Sequence, residues 1–259
     1  MFKFRKFTFV AVALLLFWTT AGAVQNRDEA TDEATELNDQ AVVCVKDHQY
    51  EQAVDLLKKA ITLRPELATA HYNLGRLYHM RNELDLAIGE FKRAVELKPD
   101  FLNALHQLGI SYNNSERYAD AVECLMRAVQ LQPNRADLLT ELGFAYSKDG
   151  RAQDAVAVLK EAIRVKPDYA DAYNNLGVAY FKTGRVSSAL EVLQQAIRFK
   201  PDFAEARHNL AVLYLQRGER ALALEQYHRL KTIDYEMSQK LFAIIFKDKI
   251  LNVRDQTRE

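Results

Sequence analysis

The sequence predicts an all-α protein assembled from tandem helical pairs, and three observations predict it. All five prolines fall 34 residues apart, at Pro65, Pro99, Pro133, Pro167 and Pro201. Only nine glycines and five prolines occur in 259 residues, against abundant Ala, Leu, Glu, Lys and Arg, the residues that favour helix. Within each interval, apolar residues recur in one register at spacings of three and four, which share a helical face. A fixed period of this length is the mark of a repeat protein.

Each repeat is taken to begin three residues after a proline, and the register is extended back one step. The starts are then Ala34, Ala68, Leu102, Ala136, Ala170 and Ala204. Column seven holds Leu74, Leu108, Leu142, Leu176 and Leu210. Column eight holds Gly75, Gly109, Gly143 and Gly177, then Ala211. Column eleven holds Tyr78, Tyr112, Tyr146, Tyr180 and Tyr214. These three columns share a face of the first helix. Column twenty is alanine throughout, from Ala53 to Ala223, and column twenty-four is large: Leu57, Phe91, Leu125, Leu159, Leu193 and Tyr227. A helical glycine costs about 1 kcal/mol relative to alanine. Close approach of the two helices, with the glycine facing the column-twenty alanine, is the expected compensation.

The same register predicts the helix ends. Gly150, Gly184 and Gly218 stand in column fifteen, where the first helix should end in a left-handed residue. Asn82 suits that place, Glu116 suits it less, and neighbouring Asn114 is an alternative. Asp100, Asn134, Asp168 and Asp202 follow the prolines as expected N-caps of the next first helix.

These columns closely resemble the tetratricopeptide repeat family over Ala34 to Met237. The resemblance implies an α-α superhelix: six helix-turn-helix repeats, at residues 34–67, 68–101, 102–135, 136–169, 170–203 and 204–237, each with antiparallel helices. It also implies a protein-binding role. The ends deviate from the repeat. Residues 24–33 read as an acidic linker, and residues 238–259 as a C-terminal capping helix in which Leu241, Ile244 and Ile245 cover the last pair. A dimerisation surface is the other reading of that helix.

The N-terminus is of another kind. "MFKFRK" is basic, "FTFVAVALLLFW" is almost wholly apolar, and Ala21 and Ala23 supply an A-x-A cleavage pattern. Residues 1–23 therefore read as a secretory signal peptide, which predicts a periplasmic or secreted protein. An uncleaved membrane anchor facing away from the cytoplasm is the alternative, because the apolar run is just long enough to span a bilayer. Cleavage leaves 32 basic against 35 acidic groups, so nothing in the bulk charge draws the chain to nucleic acid. Cys44 and Cys124 are too few for a disulfide framework and read as buried thiols.

By resemblance, columns two, five, six, nine, twelve and thirteen of the first helices face the concave groove. Column six reads Asp39, Asn73, Gln107, Glu141, Asn175 and Asn209. Asparagine is a mediocre helix former, but its amide both donates and accepts. A row of amides could hold the backbone of an extended peptide, or could join neighbouring repeats. The row partly resembles the asparagine ladder of O-linked N-acetylglucosamine transferases, without any transferase domain. The candidate peptide-binding residues are Asn73, Gln107, Asn175 and Asn209, with Tyr72, His106 and Asn174 of column five and Arg76 of column nine. Asp137, Asp171 and Glu205 form an acidic row in column two, joined by Glu141, while column thirteen carries Lys46, Lys148 and Lys182. A partner with basic groups would suit the acids, although the helix macrodipole alone favours acids at helix starts and lysines at helix ends. No cationic clamp for a C-terminal carboxylate is present. The histidines fall in scattered columns without metal-binding spacing, and no acid, base and nucleophile stand together. A non-catalytic scaffold without metal or cofactor is expected, with a protein or extended peptide as partner. A membrane-tethered, self-assembling module is the runner-up.

Overall fold

The structure is a computed structural model that describes residues 32–246. The signal-peptide segment, most of the acidic linker and residues 247–259 lie outside the described residues. Every regular element among the described residues is a helix. The first, α1, covers residues 32–46. It is followed by α2 (Tyr50–Leu63), α3 (Ala68–Met80), α4 (Leu84–Leu97) and α5 (Leu102–Asn114). Then come α6 (Tyr118–Leu131), α7 (Ala136–Lys148), α8 (Ala152–Val165) and α9 (Ala170–Lys182). The described residues end with α10 (Val186–Phe199), α11 (Ala204–Gln216), α12 (Arg220–Ile233) and α13 (Tyr235–Ile245).

The chain divides into two compact units, one up to Ser111 and one from Tyr112, so the boundary falls inside α5. In the first unit α3 packs on both α2 and α4. In the second unit each helix packs on the next from α6 to α13, and α9 also touches both α7 and α11.

The turn inside each pair has one construction. The column-sixteen N–H donates back to the column-eleven carbonyl, as in Arg185 to Tyr180 and Arg151 to Tyr146 at 2.9 Å. This is the six-to-one bond of a Schellman motif, and it requires a left-handed residue in column fifteen. Gly150, Gly184 and Gly218 take φ of 84°, 76° and 77°, and Asn82 takes 60°. Glu116 also takes the left-handed turn itself, at φ 58°, and His48 does so at 60°. Asn114 does not take over; it is the last residue of α5.

The turn between pairs differs from expectation. The N-caps of α7, α9 and α11 are Arg135, Tyr169 and Phe203, and none accepts a hydrogen bond in its side chain. Asn134, Asp168 and Asp202 stand one residue too early to cap. The position goes instead to groups that fill the core, such as Phe203 and Leu67, both buried. The freed proline carbonyl is taken by a donor four residues into the next helix. Tyr173 reaches Pro167 at 3.2 Å, Arg207 reaches Pro201 at 2.8 Å, and His71 contacts Pro65 at 3.0 Å. Where Tyr235 replaces the proline, Asp234 caps α13 with its side chain, accepting from the Met237 N–H at 2.9 Å.

The glycine column also corrects an expectation. A Cβ added to Gly177 would lie 2.6 Å from Leu193 Cγ, and one on Gly75 would lie 2.8 Å from the Phe91 ring. Gly143 faces Leu159 in the same way. The glycine therefore makes room for the large residue of column twenty-four, not for the alanine of column twenty. The alanines are buried beside it, and Tyr112, Tyr146, Tyr180 and Tyr214 are buried as well. In α13, Leu241 and Ile245 are buried against the last pair, whereas Ile244 is 47% exposed and faces outward.

Candidate functional site

The first helix of each pair carries the candidate columns, and its neighbours meet with a fixed offset. Asn209 Nδ2 donates to Asn174 Oδ1 at 2.9 Å, and Asn73 Nδ2 donates to Asn38 Oδ1 at 2.9 Å. Lys182 Nζ donates to the Ser147 carbonyl. All three contacts join residues 35 apart, so a residue of one repeat meets the preceding column of the repeat before. α9 packs on both α7 and α11, with columns five and six meeting toward the starts of α9 and α11 and columns twelve and thirteen meeting at the ends of α7 and α9, so like ends adjoin.

The amides of columns five and six are thus partly used within the protein. Asn174 is buried; its Oδ1 accepts from Asn209, and its Nδ2 points to Asn175 Oδ1 at a long 3.4 Å. Each side-chain amide has two N–H donors and an acceptor oxygen. Asn209 commits one N–H to its neighbour and keeps further hydrogen-bonding capacity. The row breaks at repeat four. There Thr140 turns back to the Ala136 carbonyl at 2.7 Å, and Glu141 replaces an amide.

The second unit holds a cleft of about 300 Å³ along these helices. Phe144, Val178 and Met237 give it apolar surface, and Lys148, Asn175 and Asn209 give it polar rim. Glu205 and His208 line it as well. His208 is held below the ordinary histidine value, first by burial and then by Lys240, so its neutral ring is favoured. Val178 stands in column nine, like Phe144. Met237 comes from α13, and the repeat register gave no signal for it because it places that residue in a turn. The first unit has a smaller cleft of about 160 Å³, where Asn73 and Arg76 meet Val42, Val45 and Met80.

The eight sequence candidates separate accordingly. Asn174, Asn175 and Asn209 come together in the larger cleft, and Asn73 and Arg76 in the smaller one. Tyr72 packs its ring 5.0 Å from Phe101 and 6.0 Å from Phe91, with the Arg76 guanidinium 5.8 Å from its centroid. His106 and Gln107 are half-buried on α5 and line neither cleft.

The charges in the second unit are segregated. Asp137, Asp171 and Glu205 stand second in α7, α9 and α11, while Lys148 and Lys182 are the last residues of α7 and α9. Burial pushes the Glu141 carboxyl up, Asn113 opposes this by donating at 3.3 Å, and Asp171 and Asp137 add to the rise. Lys182 is pushed down by burial and then by Lys148. Asp137 is partly balanced by Arg135, whose Nε donates to it at 3.0 Å. The Lys148 ammonium lies 5.5 Å from the centroid of the Phe144 ring.

Comparison with known proteins places this architecture. YrrB, described as a TPR protein with an unusual peptide-binding site, is 26% identical, with a TM-score of 0.64 over 71% of this chain and 95% of its own. MamA is 27% identical, with a TM-score of 0.55 over 64% of this chain and 97% of its own. A tetratricopeptide repeat protein from Parabacteroides merdae shares the fold, with a TM-score of 0.75 at 16% identity over 85% of this chain and 88% of its own. No curated protein matches the chain. The family described as the cilia and flagella-associated protein 70 C-terminal domain, a TPR family, matches residues 11–239. The chain belongs to that tetratricopeptide-repeat family.

Proposed function

We propose that this chain is an exported, non-catalytic scaffold that binds an extended segment of a partner protein along the first helices of its repeats. The carrying observation is the larger cleft, where apolar surface from Phe144, Val178 and Met237 lies beside the amides of Asn175 and Asn209. Apolar surface supplies the driving force and a few placed polar groups supply orientation, which is the usual composition of a binding site. An extended segment exposes backbone N–H and C=O groups that side-chain amides can match. The likeness to YrrB, a TPR protein with an unusual peptide-binding site, supports the same reading. Export rests on the basic, apolar and A-x-A pattern of residues 1–23.

Selection of a displayed random-peptide library on the purified chain tests this. Enriched peptides should bind the wild type and lose at least about tenfold in affinity to Val178→Arg, whose side chain fills the cleft. Equal binding by a variant with an unchanged helical spectrum would place the peptide elsewhere. The mass of the exported protein tests cleavage after Ala23.

A second reading rests on the apolar side chains that α13 leaves exposed, Tyr235 at its start and Ile244 near its end. A tethered module could self-associate there. Ultracentrifugation of wild type and Ile244→Glu decides: a dimer abolished by the substitution supports it, and a monomeric wild type removes it.

A further inference from the structure

The charges of the second unit go further than a generic peptide groove. Two rows of like charge stand at opposite ends of the same helices, with the cleft between them. Asp171 stands second and Lys182 last in α9, and Asp137 and Lys148 hold the same places in α7. Glu205 and Lys148 both line the cleft itself. The helix macrodipole accounts for an acid at a start and a lysine at an end one at a time. Because the repeats stack in register, these preferences line up as two rows, each presenting like charges side by side. Glu141 is pushed up first by burial and then by Asp171 and Asp137, and Lys182 is pushed down first by burial and then by Lys148, so like charges stand close within each row.

Resting on the peptide reading above, we propose that the guest of this unit is amphoteric. It seats a bulky apolar side chain between Phe144 and Val178, turns a basic side chain to Asp171 and Glu205, and turns an acidic one to Lys148 and Lys182. The two rows are eleven residues apart along α9, or about 16 Å at 1.5 Å per residue. An extended chain covers that span in about five residues. The charged side chains of the guest therefore stand about five residues apart, on either side of its apolar anchor.

Four synthetic peptides of about twelve residues test this by fluorescence anisotropy on the full chain. Each carries a central Leu flanked by Lys and Glu, by two Lys, by two Glu, or by two Ser. The Lys/Glu peptide should bind best, by about fivefold for each charge lost or reversed at low salt, and the preference should shrink as salt rises. The double variant Asp171→Lys/Glu205→Lys should switch the preference to two Glu. Lys148→Glu/Lys182→Glu should switch it to two Lys. If a reversal unfolds the protein, the neutral variants Asp171→Asn and Lys148→Gln should each flatten the preference for one charge. Equal binding of all four peptides overturns the charge inference and leaves the groove standing. Binding of none overturns both.

Discussion

His71 Nδ1 lies 2.6 Å from Glu90 Oε2, and the other ring nitrogen lies 3.0 Å from the Pro65 carbonyl oxygen. Both nitrogens face acceptors, and only the imidazolium can donate to both. Burial lowers the pKa of this ring, but the hydrogen bonds to Glu90 and Pro65 outweigh it and the net shift is upward from 6.5. A folded-state value above the unfolded one adds stability that is complete below the unfolded value and fades as pH rises through the folded value. The urea midpoint of the wild type should therefore fall across that window. His71→Gln should remove this part of the pH dependence, and an unchanged profile in the variant would refute the assignment.

Glu141 gives a second test, with the same sign of pH dependence but at a carboxyl. Its carboxyl is raised by burial and by Asp171 and Asp137, against the bond from Asn113. A carboxyl raised on folding weakens the protein as pH climbs from the unfolded value through the folded one. Glu141→Gln keeps an oxygen for Asn113 and drops the charge. Its urea midpoint should exceed that of the wild type at about pH 7 and match it at about pH 4.

Gly177→Ala sets two effects against each other. Alanine improves helix propensity by about 1 kcal/mol, while its methyl would lie 2.6 Å from Leu193 Cγ. Overpacking of a filled core costs about 1–3 kcal/mol, so the substitution should destabilise by about 1 kcal/mol net. Adding Leu193→Ala should make Gly177→Ala stabilising, since the clash partner is gone. Denaturant titration of the four proteins measures the reversal.

Glu116 holds a left-handed turn, at φ 58°, where three later repeats use glycine. A side chain in that conformation costs about 1 kcal/mol or more. Because Glu116 is exposed, Glu116→Gly should raise stability by about 1 kcal/mol in thermal or urea unfolding. No gain would mean that the larger unfolded-state entropy of glycine cancels the relief.

The helical pairs were legible because five prolines mark the period and each column repeats one size of side chain. What was not legible lies between columns. Aligning repeats keeps columns five and six apart, yet the 35-residue offset joins Asn209 to Asn174, so an expected row of free amides is partly a row of internal bonds. Aspartate after proline suggested a cap, but local propensity says nothing of how deeply Phe203 must sink. The glycine partner was misread because periodicity gives the buried face of each helix without giving the level at which the faces meet. Met237 escaped because α13 begins early, once proline gives way to Tyr235.

Each amide rung takes its donor from one repeat and its acceptor from the one before, so a rung is the property of a junction. Repeat five carries both halves, Asn174 and Asn175, and tandem copies of it would mate with each other without redesign. Repeat four, with Thr140 and Glu141, carries neither half. Gene duplication could lengthen this array seamlessly through the fifth module, whereas copying the fourth would insert a seam with no amide stitch.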